Sequence, residues 1–193
     1  QETLVDGGNI DIVPEGEPAI FVFKTVADPF VGKMSFFKVM NGSIRRDMTL
    51  RNNTTGDNEK LAHIYTVRGK KQTEVEELAC GDIGMVAKLN NTNTNDTLTW
   101  NKAFEYRRIV FPKPYYVKGM TPASKGDEGK ISQSIAKMVE EDYTLRFENN
   151  PETKQLLIYG LGEVHLAVLA ARLKSRFGLN IKYDTPKIAY REK

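Results

Sequence analysis

The sequence predicts an all-β barrel followed by an α+β sandwich with the ferredoxin-like order β-α-β-β-α-β. From residue 19 to about residue 100, short apolar or alternating segments are separated by turn residues and show no helical period. Helical periodicity begins only after residue 108. A chain of 193 residues can bury two cores. We therefore place a linker at residues 1–17, the barrel at 18–105 and the ferredoxin-like domain at 106–193.

The linker and the strands follow in order. Residues 6–18 are rich in glycine, proline and acid and have no period, which predicts an extended linker. The apolar run from Ala19 to Phe23 predicts the first strand, and a change of phase between Phe36 and Phe37 predicts a β-bulge in the second. Later strands are predicted by alternation at Met48 and Leu50, at Leu61, His63, Tyr65 and Val67, and at Ile83, Met85, Ala87 and Leu89. Such spacing is typical of an antiparallel sandwich or a small closed barrel.

Two amphipathic helices distinguish the second half of the chain. The first follows a predicted strand at residues 115–118 and has an apolar face at Ile131, Ile135, Met138 and Val139. A hairpin is predicted around the turn at residues 149–153. The second helix opens at Gly160-Leu-Gly162, and Gly178 is placed to end it in the left-handed conformation. Its apolar face consists of Leu166, Leu169, Ala170, Leu173 and Phe177. A last short strand at residues 181–183 completes the split βαβ order.

Composition indicates a soluble, cytoplasmic protein. The longest apolar runs, residues 19–23 and 164–171, are much shorter than the ~20 residues of a membrane helix. No secretory signal is visible, and the single cysteine, Cys80, cannot form an internal disulfide, which fits a reducing compartment. We expect no membrane partner. A net charge of +3 does not by itself argue for nucleic-acid binding.

Motifs for catalysis, nucleotide binding and metal binding are absent from the sequence. No Gly-x-x-x-x-Gly-Lys-Ser/Thr phosphate loop occurs, and Asn101-Lys-Ala-Phe104 lacks the aspartate of a guanine-reading motif. Gly160-Leu-Gly162-Glu163 places an acid in the first helical turn, where it would repel a phosphate. The two histidines and the cysteine have no paired ligand spacing. We predict no catalytic, cofactor or metal site within the chain.

Positive charge is concentrated at Arg45-Arg46, at Arg68-Gly-Lys70-Lys71 and at Arg107-Arg108. The second cluster falls where a predicted strand ends. A glycine-containing loop with three cations can lie on a phosphate backbone, so Arg68, Lys70 and Lys71 are candidate RNA contacts. The alternative is an ordinary solvated loop.

Four ordered motifs resemble the second and third domains of the elongation factor G family. They are Ala27-Asp-Pro-Phe-Val-Gly-Lys33, Glu74-Val-Glu-Glu-Leu-Ala-Cys-Gly-Asp-Ile83, Asn150-Pro-Glu-Thr-Lys-Gln155 with Gly160-Leu-Gly-Glu-Val-His-Leu166, and Pro186-Lys-Ile-Ala-Tyr-Arg-Glu192. The resemblance spans about residues 18–192. It implies a barrel of the translation-factor domain II type and a ferredoxin-like third domain, in agreement with the pattern of the residues.

The resemblance also implies a function and partners. The parent would be a ribosome-dependent GTPase that promotes translocation, with GTP and Mg²⁺ held in a domain outside this chain. Implied partners are the RNA and protein of the small ribosomal subunit and the GTPase domain in cis, and a monomer is expected. Gly160, Gly162, Glu163, His165 and Leu166 match the region that faces the GTPase domain and the fusidic acid pocket. Alternatively, His165 simply caps or packs its helix.

Several positions depart from the family pattern. They include Thr94-Asn-Asp-Thr97, the loop at residues 68–72, Val164 and Ala167. These departures favour an elongation-factor-G-like paralogue over the housekeeping translocase. A ribosomal protection protein of the tetracycline-resistance type shares the same plan. A stand-alone RNA-binding module has the same strand order but needs more aromatic residues on its third strand than Tyr159.

Overall fold

Residues 1–110 form strands that build one curved antiparallel sheet and two small ribbons. The computed structural model describes residues 1–28, 31–124 and 126–187. Contacts divide the chain into two units, Gln1–Val110 and Phe111–Lys193, whereas the sequence analysis placed the boundary after residue 105. The strands of the first unit are β1 Glu2–Thr3, β2 Asn9–Ile10, β3 Ala19–Asp28, β4 Gly32–Asn41, β5 Ser43–Arg45, β6 Met48–Asn52, β7 Asn58–Leu61, β8 Ile64–Arg68, β9 Lys71–Val75, β10 Glu77–Ala79, β11 Ile83–Ala87 and β12 Thr97–Thr99.

The main sheet has the order β7-β6-β12-β3-β4-β11-β8-β9, and β10 pairs with β5. Every pairing is antiparallel. Alternate residues of these strands point into one core that includes Ile20, Val22, Phe37, Val39, Ile44, Leu50, Leu61, Ile64, Leu78, Val86, Leu89 and Leu98. The predicted all-β unit is confirmed, and its main sheet is a half-barrel of eight strands.

The register of β3 against β4 shifts twice. Val22 pairs with Phe37 and Lys24 with Phe36, so the extra residue at the predicted change of phase lies on β3, at Phe23. A second shift, between Ala19 and Ile20, places an extra residue on β4. A change of phase in the alternation of one strand indicates a β-bulge, but it does not identify which of the two paired strands carries the extra residue.

The predicted continuous strand face from Leu61 to Val67 is wrong. The structure ends β7 at Leu61 and begins β8 at Ile64, and both of these residues are fully buried. His63 lies in the break, with its side chain half exposed and its Nδ1 2.7 Å from Glu74 Oε1. Two short strands that meet at a corner can mimic one longer strand in the sequence pattern.

A buried polar network fixes the loop between β11 and β12. Asn52 Nδ2 donates to Asp96 Oδ2 at 2.8 Å and to the Asn91 carbonyl at 3.1 Å. Glu59 Oε1 accepts from the Asn91 amide at 2.8 Å and from the Thr92 hydroxyl at 3.0 Å. Both buried carboxylates are thus hydrogen-bonded, as buried charges must be.

The second unit has the predicted order β-α-β-β-α-β. Its elements are β13 Tyr116–Pro122, α1 Glu128–Glu141, β14 Arg146–Asn150, β15 Gln155–Gly160, α2 Glu163–Phe177 and β16 Ile181–Asp184. The sheet order is β14-β15-β13-β16, entirely antiparallel. Its core combines the predicted helix faces with alternate strand residues and includes Met120, Ile131, Ile135, Met138, Ile158, Leu166, Leu169 and Leu173. Gly178 ends α2 at a φ of 67°, as predicted.

Two of the motif segments reach beyond the described residues. Pro29 and Phe30 of the first motif lie outside them, as do residues 188–192 of the last. Within the described part of the chain, no helix is long and apolar enough to cross a membrane.

Candidate functional site

The Arg68–Lys71 segment is a tight β-hairpin turn. Arg68 pairs with Lys71 across β8 and β9, so Gly69 and Lys70 form a two-residue turn. Gly69 has a φ of 61°, a conformation that glycine adopts without strain and that the hairpin geometry favours. Arg68, Lys70 and Lys71 are all exposed. The hairpin therefore presents the three predicted cations together at the end of a strand pair.

The charge of this hairpin is not offset by neighbouring carboxylates. Among the described residues, Arg68, Lys70 and Lys71 form no ion pair. In the other two basic clusters, Arg45 lies 3.3 Å from Glu77 and Arg108 lies 2.8 Å from Glu105. Arg46 contacts Glu74, Glu76 and Asp47. Within the described ranges, the hairpin cluster is thus without ion pairs, whereas Arg45, Arg46 and Arg108 of the other two clusters are paired.

The segment from Gly160 to Leu166 forms the turn from β15 into α2. Gly160 is buried, and an added Cβ would lie 2.7 Å from Leu166 Cδ2, so a larger residue here would require the buried Leu166 side chain to shift. Leu166 is 1% exposed and packs in the core. Of the five predicted residues here, Glu163 is exposed, Gly162 and His165 are partly exposed, and Gly160 and Leu166 offer no side-chain surface.

His165 closes the first turn of α2. Its Nδ1 accepts a hydrogen bond from the Leu161 amide at 3.1 Å, so the ring proton belongs on Nε2, which donates to Asp142 Oδ2 at 3.1 Å. Gly162, the residue before the helix, provides no side-chain cap. His165 therefore binds the backbone amide of the residue that precedes the N-cap and so fixes the turn that leads into α2. These contacts fit the alternative given for His165, in which the side chain packs at the start of its helix.

Asp142 holds the His165 ring in position through the hydrogen bond to Nε2. Burial of its carboxyl opposes ionisation, but hydrogen bonds from the hydroxyl and amide of Thr144 and from His165 outweigh burial and lower the pKa of Asp142. The ionised carboxylate fixes the orientation of the imidazole. It thereby ties the end of α1 to the start of α2.

An exposed apolar strip runs along the outer side of α2. Val164 is 78% exposed, Val168 42% and Leu161, just before the helix, 49%. Ala167 and Ala171 are exposed at matching helical positions. This strip was not among the predicted surfaces, although positions 164, 167, 168 and 171 form a second apolar stripe beside the core stripe at 166, 169 and 173. That double stripe was the signal that could have revealed it.

Metal binding in the described ranges would require a cluster of ligating side chains. No group of three or more histidine, cysteine or acidic side chains there could hold a metal ion. His63 and His165 are each hydrogen-bonded to a carboxylate, Glu74 and Asp142 respectively. The surfaces described above are suited to binding.

Two family models match the chain in succession. The model described as elongation factor G domain 2 matches residues 17–101, and the model described as elongation factor G, domain III, matches residues 111–185. A crystal structure of a protein from Thermus thermophilus is 29% identical, with a TM-score of 0.80 over 90% of this chain. The match covers 26% of that protein, so this chain spans about a quarter of its length.

Proposed function

Because the chain belongs to the elongation factor G family, as its second and third domains, we propose that it is the ribosome-contacting and relay part of a larger translation factor. The parent is a ribosome-dependent GTPase that promotes translocation. Its GTP and Mg²⁺ are bound by a domain that this chain does not contain. The chain itself performs no catalysis, and the parent acts as a cytoplasmic monomer.

The observation that carries the ribosome contact is the hairpin with three cations that have no ion pair among the described residues. Phosphate contacts by lysine and arginine supply the sequence-independent part of RNA affinity. A rigid two-residue turn holds Arg68, Lys70 and Lys71 together without the loss of entropy that a flexible basic tail would suffer. The partner proposed for this hairpin is the RNA of the small ribosomal subunit.

A charge reversal tests this proposal. Arg68→Glu, Lys70→Glu and Lys71→Glu are combined, and co-sedimentation of the chain with small ribosomal subunits is measured across a salt series. We expect weaker binding at low salt. We also expect the slope of the logarithm of the binding constant against the logarithm of the salt concentration to be shallower by about 1 for each phosphate that the variant no longer neutralises. Lys137→Glu, Lys174→Glu and Lys182→Glu form the control, since these exposed residues of the second unit give the same change in net charge. If both triple variants bind alike, the hairpin is not the contact.

The second proposed contact is with the GTPase domain in cis. The exposed strip Leu161, Val164 and Val168 supports it, because contiguous apolar surface of this kind marks an interaction site. In this proposal Glu163 and the partly exposed His165 lie at the contact, while Gly160, Gly162 and Leu166 shape the turn that presents it. Movement of the third domain would then relay the nucleotide state to the ribosome.

Sequence departures support a paralogue of the housekeeping translocase as the parent. Val164 and Ala167 replace a leucine and a glutamate that are usual in the family motif, and the Arg68–Gln72 loop is also atypical. Both departures fall on the two surfaces proposed here as contacts. We therefore expect the contacts of these two surfaces with their partners to differ from those of the housekeeping translocase.

A further inference from the structure

A shallow pocket of about 350 Å³ opens where the chain enters the half-barrel. Trp100, Met48 and Pro18 supply apolar walls, and Glu15 and Glu17 supply carboxylates. All of these residues belong to the first unit, and none is part of the hairpin or the α2 strip. The pocket is therefore separate from both surfaces that the proposed function uses.

The indole of Trp100 is exposed but held in position. The side chain is 46% exposed. The Trp100 amide donates to the Pro18 carbonyl at 3.1 Å, and with the Asn101 amide group turned to face the indole, Nε1 donates to Asn101 Oδ1 at 2.8 Å. An indole fixed at its backbone and at its polar edge presents its ring face without needing to be ordered on binding.

The facing loop is also held in position. Asn41 Oδ1 accepts from the Val13 amide at 2.6 Å, and Asn41 Nδ2 donates to the Glu17 carbonyl at 2.8 Å. The Gly16 amide donates to the Val13 carbonyl at 2.9 Å. One buried asparagine thus fixes both ends of the segment that carries Glu15 and Glu17.

The carboxylates of this pocket are not neutralised. Glu15 and Glu17 form no ion pair within the described ranges of the chain, and Glu17 Oε2 is buried with no hydrogen-bond partner there. Residues 1–23 hold acids at positions 2, 6, 11, 15 and 17 and no lysine or arginine. The two glutamates therefore bring negative charge to the pocket that no cation among the described residues offsets by an ion pair.

From this geometry we infer that the Trp100 pocket binds an arginine side chain on a basic protein segment. A guanidinium stacks on an indole face, is weakly hydrated and donates two parallel hydrogen bonds to a carboxylate. The Trp100 ring and the two glutamates line the same opening. The negative charge of residues 1–23 attracts a basic segment and repels a nucleic-acid backbone.

The single tryptophan of the chain makes a direct test practical. The probe is the blocked tripeptide Gly-Arg-Gly, titrated into the 193-residue chain while Trp100 emission and the indole N–H resonance are followed. The counterpart with citrulline in place of arginine has the same shape without the charge. We expect a saturable change with the arginine peptide, and an affinity roughly two- to five-fold weaker for Glu15→Gln or Glu17→Gln, the range expected for one partly exposed charge contact.

The matched control is Asp57→Asn, which removes an exposed carboxylate of the same unit away from the pocket. It should bind the arginine peptide as the unmodified chain does. Equal responses to the arginine and citrulline peptides would overturn the inference. An undiminished response in both glutamine variants would also overturn it. Equal binding of the corresponding lysine peptide would show that the pocket does not select a guanidinium group.

Discussion

At the scale of single residues, Asp142 joins two elements beside a proposed contact surface. Its carboxylate accepts hydrogen bonds from Thr144 and from His165, and His165 in turn accepts from Leu161. The chain of contacts runs from the end of α1 to the first turn of α2. The Asp142 carboxylate therefore contributes to holding the start of α2, where the exposed strip begins.

This arrangement predicts a pH dependence of stability. The pKa of Asp142 is lower in the folded protein than its ordinary value, so its stabilisation is complete above that ordinary value, about 4. The stabilisation is lost as pH falls through the lower, folded value. We expect Asp142→Asn to be less stable than the unmodified protein near neutral pH, with the difference shrinking in acid. Urea unfolding followed by far-UV circular dichroism at several pH values measures it.

Glu140→Gln is a suitable control, because this exposed α1 residue has no ion pair within the described ranges. Its difference from the unmodified protein should stay small and constant with pH. A difference for Asp142→Asn that persists unchanged in acid would show that the stabilising interaction does not depend on the ionised carboxylate.

At the scale of elements, the close contact between β13 and the Gln155 side chain holds the segment after β16. Gln155 Oε1 accepts from the Lys187 amide at 2.8 Å, and Gln155 Nε2 donates to the Thr185 carbonyl at 3.3 Å. The amide thus pairs with the backbone much as a neighbouring strand would. Gly119 makes room for it, since an added Cβ there would overlap Gln155 Nε2.

Gly119→Ala is therefore expected to lower the free energy of unfolding of the second unit by about 1–3 kcal/mol, the usual cost of overpacking. Urea unfolding and hydrogen exchange at the Lys187 amide measure the effect. Gly129→Ala is the matched control, because a Cβ at Gly129 on α1 meets nothing within 4 Å and should be neutral or slightly stabilising. Unchanged protection of the Lys187 amide in Gly119→Ala would contradict the proposed contact.

The elements also show what the sequence could predict. Helix faces such as Ile131, Ile135 and Met138 follow from periodicity, because a helix forms its hydrogen bonds locally. The corner at His63 and the extra residue on β3 depend on partner strands far away in sequence, and alternation alone does not identify these partners.

In the candidate surfaces, too, features that depend on neighbouring residues were predictable, and features that depend on distant residues were not. The grouping of Arg68, Lys70 and Lys71 was predictable, since a short hairpin keeps sequence neighbours together. The pairing of Arg108 with Glu105 and of Arg46 with Asp47 joins sequence neighbours, but the pairing of Arg46 with Glu74 and Glu76 was not predictable, because these acids come from β9 and the segment after it. Likewise, the burial of Leu166 and the exposure of Val164 depend on the direction in which α2 meets its own sheet.

At the scale of the whole molecule, each unit has a core and a set of paired strands of its own. We therefore expect residues 1–110 and residues 111–193, produced separately, each to unfold cooperatively. Trp100 fluorescence reports on the first unit, and far-UV circular dichroism reports on α1 and α2 in the second. Failure of either part to give a cooperative transition would show that its core does not suffice.

The pairing at the start of the chain has a mechanical consequence for the first unit. Leu4 bridges to Tyr106, the Val5 amide donates to the Glu105 carbonyl, and the Arg107 amide donates to the Thr3 carbonyl. The first residues and the segment that leaves the half-barrel thus run antiparallel, side by side. Gln1 and Val110 lie at the same end of this antiparallel pair. Tension applied between them would therefore break these hydrogen bonds one after another, whereas a shear load would strain all of them together. The half-barrel would remain folded while this seam opened, so the seam would act as a weak link that yields before the core does.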